Sequence, residues 1–178
     1  DARQPPAAPP TATPPAATPQ PGTGQPPAAG VLVSAGEDRF RTARAVGVSA
    51  TTFKVATVDT QGALFAMEQA NTKHGGPPLH LHRDVDEFWY VTAGEYLVEV
   101  GGRQFRAGPG ACVLGPRGVP HRWAFVGDAP GRMLITFTPA GRMQEWFERP
   151  RAPGAYTTPD PALFRQFGME LLGPPLPV

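Results

Sequence analysis

The sequence has almost no cysteine, since Cys112 is the only one in 178 residues. A single thiol excludes an intrachain disulfide framework and a cysteine-rich zinc site, and we expect it to be a small buried side chain. An excess of charge is also missing, because the formal net charge is +1. No apolar run approaches the roughly 20 residues of a membrane-spanning helix. We therefore expect neither a nucleic-acid partner nor membrane insertion.

Proline is abundant but unevenly distributed. Residues 1–30 contain ten of the 24 prolines and otherwise almost only alanine, threonine, glutamine and glycine. Such a segment cannot bury a core and favours extended conformations. We predict a disordered linker over residues 1–30 and one domain over residues 31–178. The sequence starts at Asp1 and not at methionine, and the linker follows directly. This favours export to the periplasm or the exterior after removal of a signal peptide over an artificially shortened start.

From Gly30 onward, short apolar runs alternate with glycine and proline turns. The stretch "EFWYVTAGEYLVEVGGRQFRAGPGACVLGPRG" has runs of five to seven residues between such turns. Many short strands at this spacing predict an all-β antiparallel sandwich or barrel. Gly101 and Gly102 predict a two-residue hairpin turn, because both can adopt positive φ.

Helical periodicity is confined to the C-terminal part. The pattern predicts two helices there, and the second begins with Asp160 as its cap and Pro161 in its first turn. We expect both helices to pack as lids on the outside of the β-domain. The apolar stripes of the two helices are Met143, Trp146 and Phe147, then Leu163, Phe167 and Leu171.

The stretch "HGGPPLHLHRDVDEFWYVTAGE" concentrates potential metal ligands. In a strand, His80 and His82 project to the same side, about 6.5–7 Å apart, so both imidazoles can reach one ion. A hairpin at the "RDVD" turn would bring Glu87, which shares its strand face with Trp89, over the two histidines. Asp86 would then point elsewhere. For an isolated H-x-H pair, the alternative interpretation is two surface histidines beside solvated turn acids.

A second element adds a third imidazole. His121 shares its strand face with Trp123 and Phe125, and a face with two aromatic residues is normally buried. A buried histidine needs a polar partner, and a metal ion supplies one. Three neutral imidazoles and one carboxylate suit one divalent transition metal, namely Fe, Mn, Ni, Cu or Zn. They do not suit calcium, which prefers oxygen ligands.

These residues resemble the two sequence motifs of the cupin superfamily. The resemblance implies a cupin-type jelly-roll β-barrel with short C-terminal helices. It also implies that His80, His82, Glu87 and His121 are the metal ligands. Phe125 stands where the second motif has asparagine, and the leading glycine of the first motif would fall on His74. The first motif is met by His80, His82, Glu87 and Gly94, and the second by Gly110, Pro116, Gly118 and His121.

More narrowly, residues 31–178 resemble small single-domain cupins similar to bacterial quercetin dioxygenases. This resemblance implies a dioxygenase-like oxidoreductase acting on a small aromatic substrate, flavonol- or catechol-like, and it also implies a homodimer. Glu87 would be the catalytic base as well as a ligand. The predicted walls of the substrate pocket are Trp89, Trp123 and Phe125. Plain core packing is the other interpretation of each of these three aromatics.

Two further functions stay open, because the fold hosts many activities. A metal-dependent isomerase or lyase acting on a small polar substrate would need several polar groups around the metal. By strand alternation, Tyr90 and Arg122 face away from the predicted ligands. The third possibility is a non-enzymatic cupin that binds a small ligand. The polar candidates for the isomerase or lyase are Tyr90, Glu95, Glu99, Gln104 and Arg122.

Overall fold

The structure, a computed structural model, describes residues 29–149 and 160–178. The predicted linker over residues 1–30 lies outside the described residues, apart from its last two. Within the described ranges the chain forms eleven strands and two short α-helices. The strands are β1 (Arg44–Val46), β2 (Ser49–Val55), β3 (Phe65–Asn71), β4 (His80–His82), β5 (Asp86–Ala93), β6 (Tyr96–Val100), β7 (Arg103–Ala107), β8 (Cys112–Gly115), β9 (His121–Phe125), β10 (Gly131–Thr138) and β11 (Met169–Leu171), and the helices are α1 (Met143–Glu148) and α2 (Pro161–Gln166).

The strands form two antiparallel sheets. One sheet has the order β1-β2-β3-β10-β5-β8 and the other has the order β11-β4-β9-β6-β7. Neighbours that are distant in sequence, such as β3 and β10, mark the crossing connections of a jelly roll. The inner faces of both sheets pack into one buried core. The predicted all-β, cupin-type jelly-roll architecture is confirmed.

Strand alternation places the predicted site residues on inner faces. On β5, Glu87, Trp89 and Val91 are buried, whereas Tyr90 between them is 41% exposed. On β9, the odd-numbered side chains, beginning with His121, are buried. The alternation read from the sequence is confirmed because one face of each strand covers the core.

Glycines at two turns have a conformational role. Gly101 and Gly102, at φ of 56° and 77°, join β6 to β7 as the predicted hairpin turn. Gly94, with φ of 75°, follows β5. A Cβ at Gly94 would lie 2.5 Å from the Cα of Gly131, so both the backbone angle and the space require glycine.

The expected hairpin between the histidine strand and the glutamate strand is absent. β4 pairs with β9 and β11, and β5 pairs with β10 and β8. Residues 83–85 therefore form a corner between the two sheets. Glu87 approaches the histidines across the core and not from a neighbouring strand.

The C-terminal part agrees with the expected first helix and corrects the second. α1 contains the predicted apolar stripe of Met143, Trp146 and Phe147. α2 begins as predicted, and the Asp160 side chain accepts a 2.8 Å hydrogen bond from the Ala162 N–H. The helix ends early because Gly168 adopts φ of 75°. Leu171 lies on β11, which pairs with β4, so its place in a helical stripe was wrong. In the described part of the chain, neither helix has the length and apolarity needed to cross a bilayer.

The lone cysteine corrects another expectation. Cys112 is exposed, because it opens the edge strand β8 opposite Tyr90, whose side chain also points outward. The alternation of β8 therefore places the thiol on the outer face of the six-stranded sheet, and not in the core.

Candidate metal centre

The four predicted ligands converge inside the barrel. His80 and His82 come from β4, His121 from β9 and Glu87 from β5. All four are buried, and one donor atom from each lies within 4.8 Å of the others. His80 and His121 are directly opposed in the pairing of β4 with β9. The fold thus brings together residues from both sheets that are far apart in sequence.

The spacing of the donor atoms fits a shared ion. Oε2 of Glu87 lies 3.0 Å from Nε2 of His82 and 3.2 Å from Nε2 of His121. Two ligands bound at about 2.1 Å from one ion, at right angles, are roughly 3 Å apart. The distances therefore match neighbouring positions in a coordination sphere.

Backbone carbonyls orient two of the imidazoles. Nδ1 of His80 lies 2.8 Å from the Pro78 carbonyl oxygen, and Nδ1 of His121 lies 2.9 Å from that of Val119. A carbonyl can only accept, so each Nδ1 carries the proton and donates it. In a neutral imidazole this leaves a lone pair on Nε2, which is the form that binds a metal.

The contact between His121 and Glu87 calls for a cation. If Nε2 of His121 carries no proton, it presents a lone pair to a carboxylate oxygen 3.2 Å away. Two buried acceptors that face each other repel unless a proton or a metal ion lies between them. Three imidazoles and one carboxylate are a donor set for divalent transition metals. These residues therefore fit one ion of iron, manganese, nickel, copper or zinc.

The protonation states suit metal binding. Burial by itself would raise the pKa of Glu87, but its contacts with the His121 and His82 imidazoles outweigh burial and hold the pKa well below the usual range. Burial lowers the pKa of His80 to about 3, with further lowering from His121 and His82. At neutral pH the carboxylate is charged and His80 is neutral, as coordination requires.

Asp86, next to Glu87, points the other way. Its Oδ1 accepts a 2.8 Å hydrogen bond from the Arg117 N–H, and its Oδ2 accepts another of 2.8 Å from Nη2 of Arg117. The hydrogen bonds from the Arg117 side chain, with that from its backbone, lower the pKa of Asp86 to about 2. The strand alternation that brings Glu87 into the cluster thus excludes Asp86 from it.

The cluster is supported from both sheets. The Trp89 ring packs edge-on against the His121 ring at 5.3 Å. A Cβ at Gly115 would lie 2.7 Å from Cη2 of Trp89 and 3.2 Å from Nδ1 of His121. The Gly118 N–H donates a 2.7 Å hydrogen bond to the His82 carbonyl, which ties the loop before β9 to β4.

A cavity of about 90 Å³ adjoins His80, His82 and Glu87. Its walls are mostly apolar and come from both sheets and both helices. The polar side chains in the wall, besides the cluster, are Ser49, Gln69 and Asp160. Six of the apolar wall residues are Met67, Trp123, Ile135, Phe137, Phe147 and Phe164.

The three predicted pocket aromatics have different positions. Trp123 lines the cavity. Trp89 lies beside His121, and Phe125 packs against Tyr96 with ring centroids 5.4 Å apart. Neither Trp89 nor Phe125 belongs to the cavity wall, so their contact with a substrate stays a prediction.

Sequence reasoning missed Gln69, although a signal was present. The segment "FAMEQAN" of β3 alternates in burial, and its inward-facing side chains end in two amides, Gln69 and Asn71. A polar residue on the apolar face of a strand indicates either a buried hydrogen-bond network or a ligand contact.

Comparison with known proteins agrees with the fold. Residues 68–137 match the family model described as Cupin domain. KdgF from Halomonas sp. matches with a TM-score of 0.50 and 20% identity over 55% of this chain and 86% of that chain. An RmlC-like cupin from Shewanella frigidimarina matches with a TM-score of 0.47 and 24% identity over 56% and 84%. At 20% identity, the likeness to KdgF shows the fold alone. A search of curated proteins finds no match.

Proposed function

We propose that this chain, which belongs to the cupin superfamily, is a dioxygenase-like oxidoreductase acting on a small, flat aromatic substrate of the flavonol or catechol class. The observation that carries the proposal is the position of the histidine–glutamate cluster at an apolar, aromatic-walled cavity. A bound metal ion would supply Lewis-acid stabilisation of a substrate oxygen and the redox chemistry with dioxygen.

The cavity walls support a planar, mostly apolar ligand. Trp123, Phe137 and Phe164 present aromatic surface, and Met67 and Ile135 add aliphatic surface. Such walls favour an aromatic ring and exclude water from the region beside the cluster. The substrate oxygens would approach the side of the cluster formed by His80, His82 and Glu87, which borders the cavity.

Glu87 is the group placed to act as the base of the proposed reaction. Its Oε2 contacts the two imidazoles, and within the described part of the chain no hydrogen bond reaches its Oε1. The carboxylate is charged at neutral pH, because its contacts with the histidines lower its pKa. Its low pKa makes Glu87 a weak base, so Oε1 can take the hydroxyl proton of a flavonol or catechol only if a cation beside the substrate oxygen would stabilise the negative charge left there.

The isomerase or lyase alternative has less support. None of its five polar candidates belongs to the cavity wall. Glu99 and Arg122 instead form an ion pair at 3.0 Å, and Arg122 also donates a 2.9 Å hydrogen bond to the Pro174 carbonyl. These residues hold the C-terminal tail against the barrel, which removes them from a role around the metal.

Oxygen consumption tests the proposal. Protein loaded separately with iron, manganese, nickel, copper or zinc is mixed with quercetin or with catechol in an oxygen electrode. We expect uptake with at least one redox-active metal and none with zinc. The double variant His80→Ala/His82→Ala, treated in the same way, should show none.

Two outcomes would contradict the proposal. Absence of uptake with every metal and both substrates rules out the dioxygenase activity for these compounds. Tight binding of quercetin without turnover under any metal would instead favour a non-enzymatic ligand-binding cupin.

A further inference from the structure

The side-chain oxygen of Gln69 is buried and has no hydrogen-bond partner within residues 29–149 and 160–178. The residue is 3% exposed and belongs to the cavity wall. Its Nε2 makes one long contact, 3.4 Å, with Oγ1 of Thr51. Its Oε1 is buried and accepts no hydrogen bond from any residue that the structure describes. A buried acceptor left unpaired destabilises a fold, so native structures rarely keep one without a function.

The next inward-facing residue on β3 provides a contrast. Asn71 is also buried, but its Nδ2 donates a 2.8 Å hydrogen bond to Oγ of Ser49. Its Oδ1 accepts a 3.0 Å hydrogen bond from the Tyr96 hydroxyl. Asn71 is therefore a structural amide that joins the two sheets, whereas Gln69 keeps an acceptor free at the cavity.

The sheet register separates Gln69 from the metal cluster. Gln69 is opposite Met133 on β10, and Glu87 is opposite Phe137 on the other side of the same strand. Four residues of strand correspond to about 13 Å. Ile135, between these two positions on β10, faces the cavity together with other apolar side chains. Among the described residues of the cavity wall, Gln69 is thus the one amide, and apolar side chains separate it from the metal-binding residues.

We propose that Gln69 determines substrate specificity, by accepting on Oε1 a hydrogen bond from a hydroxyl group remote from the metal-binding oxygens of the substrate. The proposal rests on the proposed function. It refines the substrate class to aromatics that carry a hydrogen-bond-donating hydroxyl at the end of the molecule remote from the metal. A hydroxyl suits this position because Gln69 offers a neutral amide oxygen and the wall residues Met67 and Ile135 are apolar.

Binding to the zinc-loaded protein tests this role without turnover. The probes are 3-hydroxyflavone and its derivatives with one added hydroxyl at the 4′ or the 7 position, titrated by fluorescence. The wild type should bind at least one derivative about tenfold more tightly than the parent, which corresponds to about 1.4 kcal/mol. In Gln69→Met, which keeps the length of the side chain but has no acceptor, this preference should disappear while affinity for 3-hydroxyflavone stays within about twofold.

Two control variants separate binding from folding. Gln104→Met, on the outward-facing part of β7, should keep the wild-type preference. Thermal unfolding of Gln69→Met should occur at the wild-type temperature or above, because an unpaired acceptor is removed. Asn71→Leu should unfold at a lower temperature, because it leaves Ser49 and Tyr96 without their partner.

Three results would overturn the role of Gln69. The first is a Gln69→Met variant that retains the preference for the hydroxylated flavonol. The second is a loss of stability in Gln69→Met as large as that of Asn71→Leu, which would make Gln69 a structural amide. The third is a wild type that binds 3-hydroxyflavone and both derivatives equally. If no flavonol binds to the zinc-loaded wild type, the proposed substrate class itself is wrong, and the role of Gln69 falls with it.

Discussion

The two sheets contribute different chemistry to the metal centre. The five-stranded sheet supplies three imidazoles, and two of these, His80 and His121, are oriented by hydrogen bonds from Nδ1 to backbone carbonyls. The six-stranded sheet supplies a single carboxylate, Glu87, whose hydrogen-bond contacts within the described residues are the imidazoles of His82 and His121. The imidazole side is therefore oriented by its own sheet, whereas the carboxylate depends on the opposite sheet.

Because of this difference, an ion held by all four residues would link the two sheets. An ion bound between the imidazoles and Glu87 is held only when the sheets pack as in the folded barrel. Ligands that bind the folded state and not the unfolded state stabilise it. Removal of the ion, of the carboxylate, of an imidazole or of the packing behind them tests this asymmetry.

Removal of the metal should have the largest effect. At a free metal concentration 1,000 times the dissociation constant, binding contributes about 4 kcal/mol, which for a domain of this size corresponds to a fall in Tm of roughly 10 °C. Differential scanning calorimetry with and without a chelator measures it. The His80→Ala/His82→Ala variant is the control and should show no response to the chelator. An equal chelator effect in both proteins would contradict a link through this cluster.

Loss of the carboxylate side should weaken metal binding strongly. Glu87→Gln keeps the shape of the side chain but removes its charge, and we expect an affinity loss of about 100-fold or more, above the range for residues that merely support ligands. Asp86→Asn is the matched control, because Asp86 points outward to Arg117. Competition titrations with a metal-binding dye measure both. A loss in Asp86→Asn that equals that of Glu87→Gln would refute the assignment.

Acid should destabilise the metal-free protein through the imidazole side. The folded pKa of His80 is lowered to about 3 from 6.5, so below pH 6.5 the unfolded chain gains a proton that the folded chain does not. The depressed pKa of Glu87 acts in the same direction below its unfolded value. Stability should therefore fall with pH between about 6.5 and 4, by up to ~1.4 kcal/mol per pH unit for His80.

Urea unfolding of the metal-free protein at several pH values measures this dependence. In the His80→Asn variant the free energy of unfolding should change less steeply with pH over the same range, since the variant lacks the His80 imidazole. A slope identical to that of the wild type would show that His80 does not contribute.

The packing behind His121 should have a smaller effect. In Gly115→Ala the added methyl group would meet the Trp89 ring, and overpacking of this kind costs about 1–3 kcal/mol. Gly108→Ala is the matched control, because a Cβ there meets nothing within 4 Å. Urea unfolding should separate the two variants. Equal stability of the two variants would mean that the packing of Trp89 against His121 does not contribute to stability.

Local patterns in the sequence predicted the faces of the strands but not their partners. Period-two alternation places His80 with His82, and Glu87 with Trp89, on the faces that the structure shows as buried. The same pattern could not show that β4 and β5 lie in opposite sheets, because strand pairing depends on contacts between residues distant in sequence. The expected hairpin was wrong for this reason, although Glu87 still reaches the histidines.

Tertiary structure also overrode a local signal and revealed a residue that no motif marked. The helical stripe that ends at Leu171 was wrong because Gly168 ends α2 and the following residues pair with β4. Gln69 carried no motif, and its free oxygen became visible only with the cavity in place. The linker over residues 1–30, the homodimer and export stay predictions.

Elemental analysis of the purified protein by mass spectrometry tests the metal centre most directly. The wild type and the His80→Ala/His82→Ala variant are each incubated with iron, manganese, nickel, copper and zinc, and then freed of loosely bound ions. We expect about one equivalent of a divalent transition metal per chain in the wild type and none in the variant. Full metal content in the variant, or no metal in the wild type with any ion, would contradict the assignment of this cluster as the metal centre.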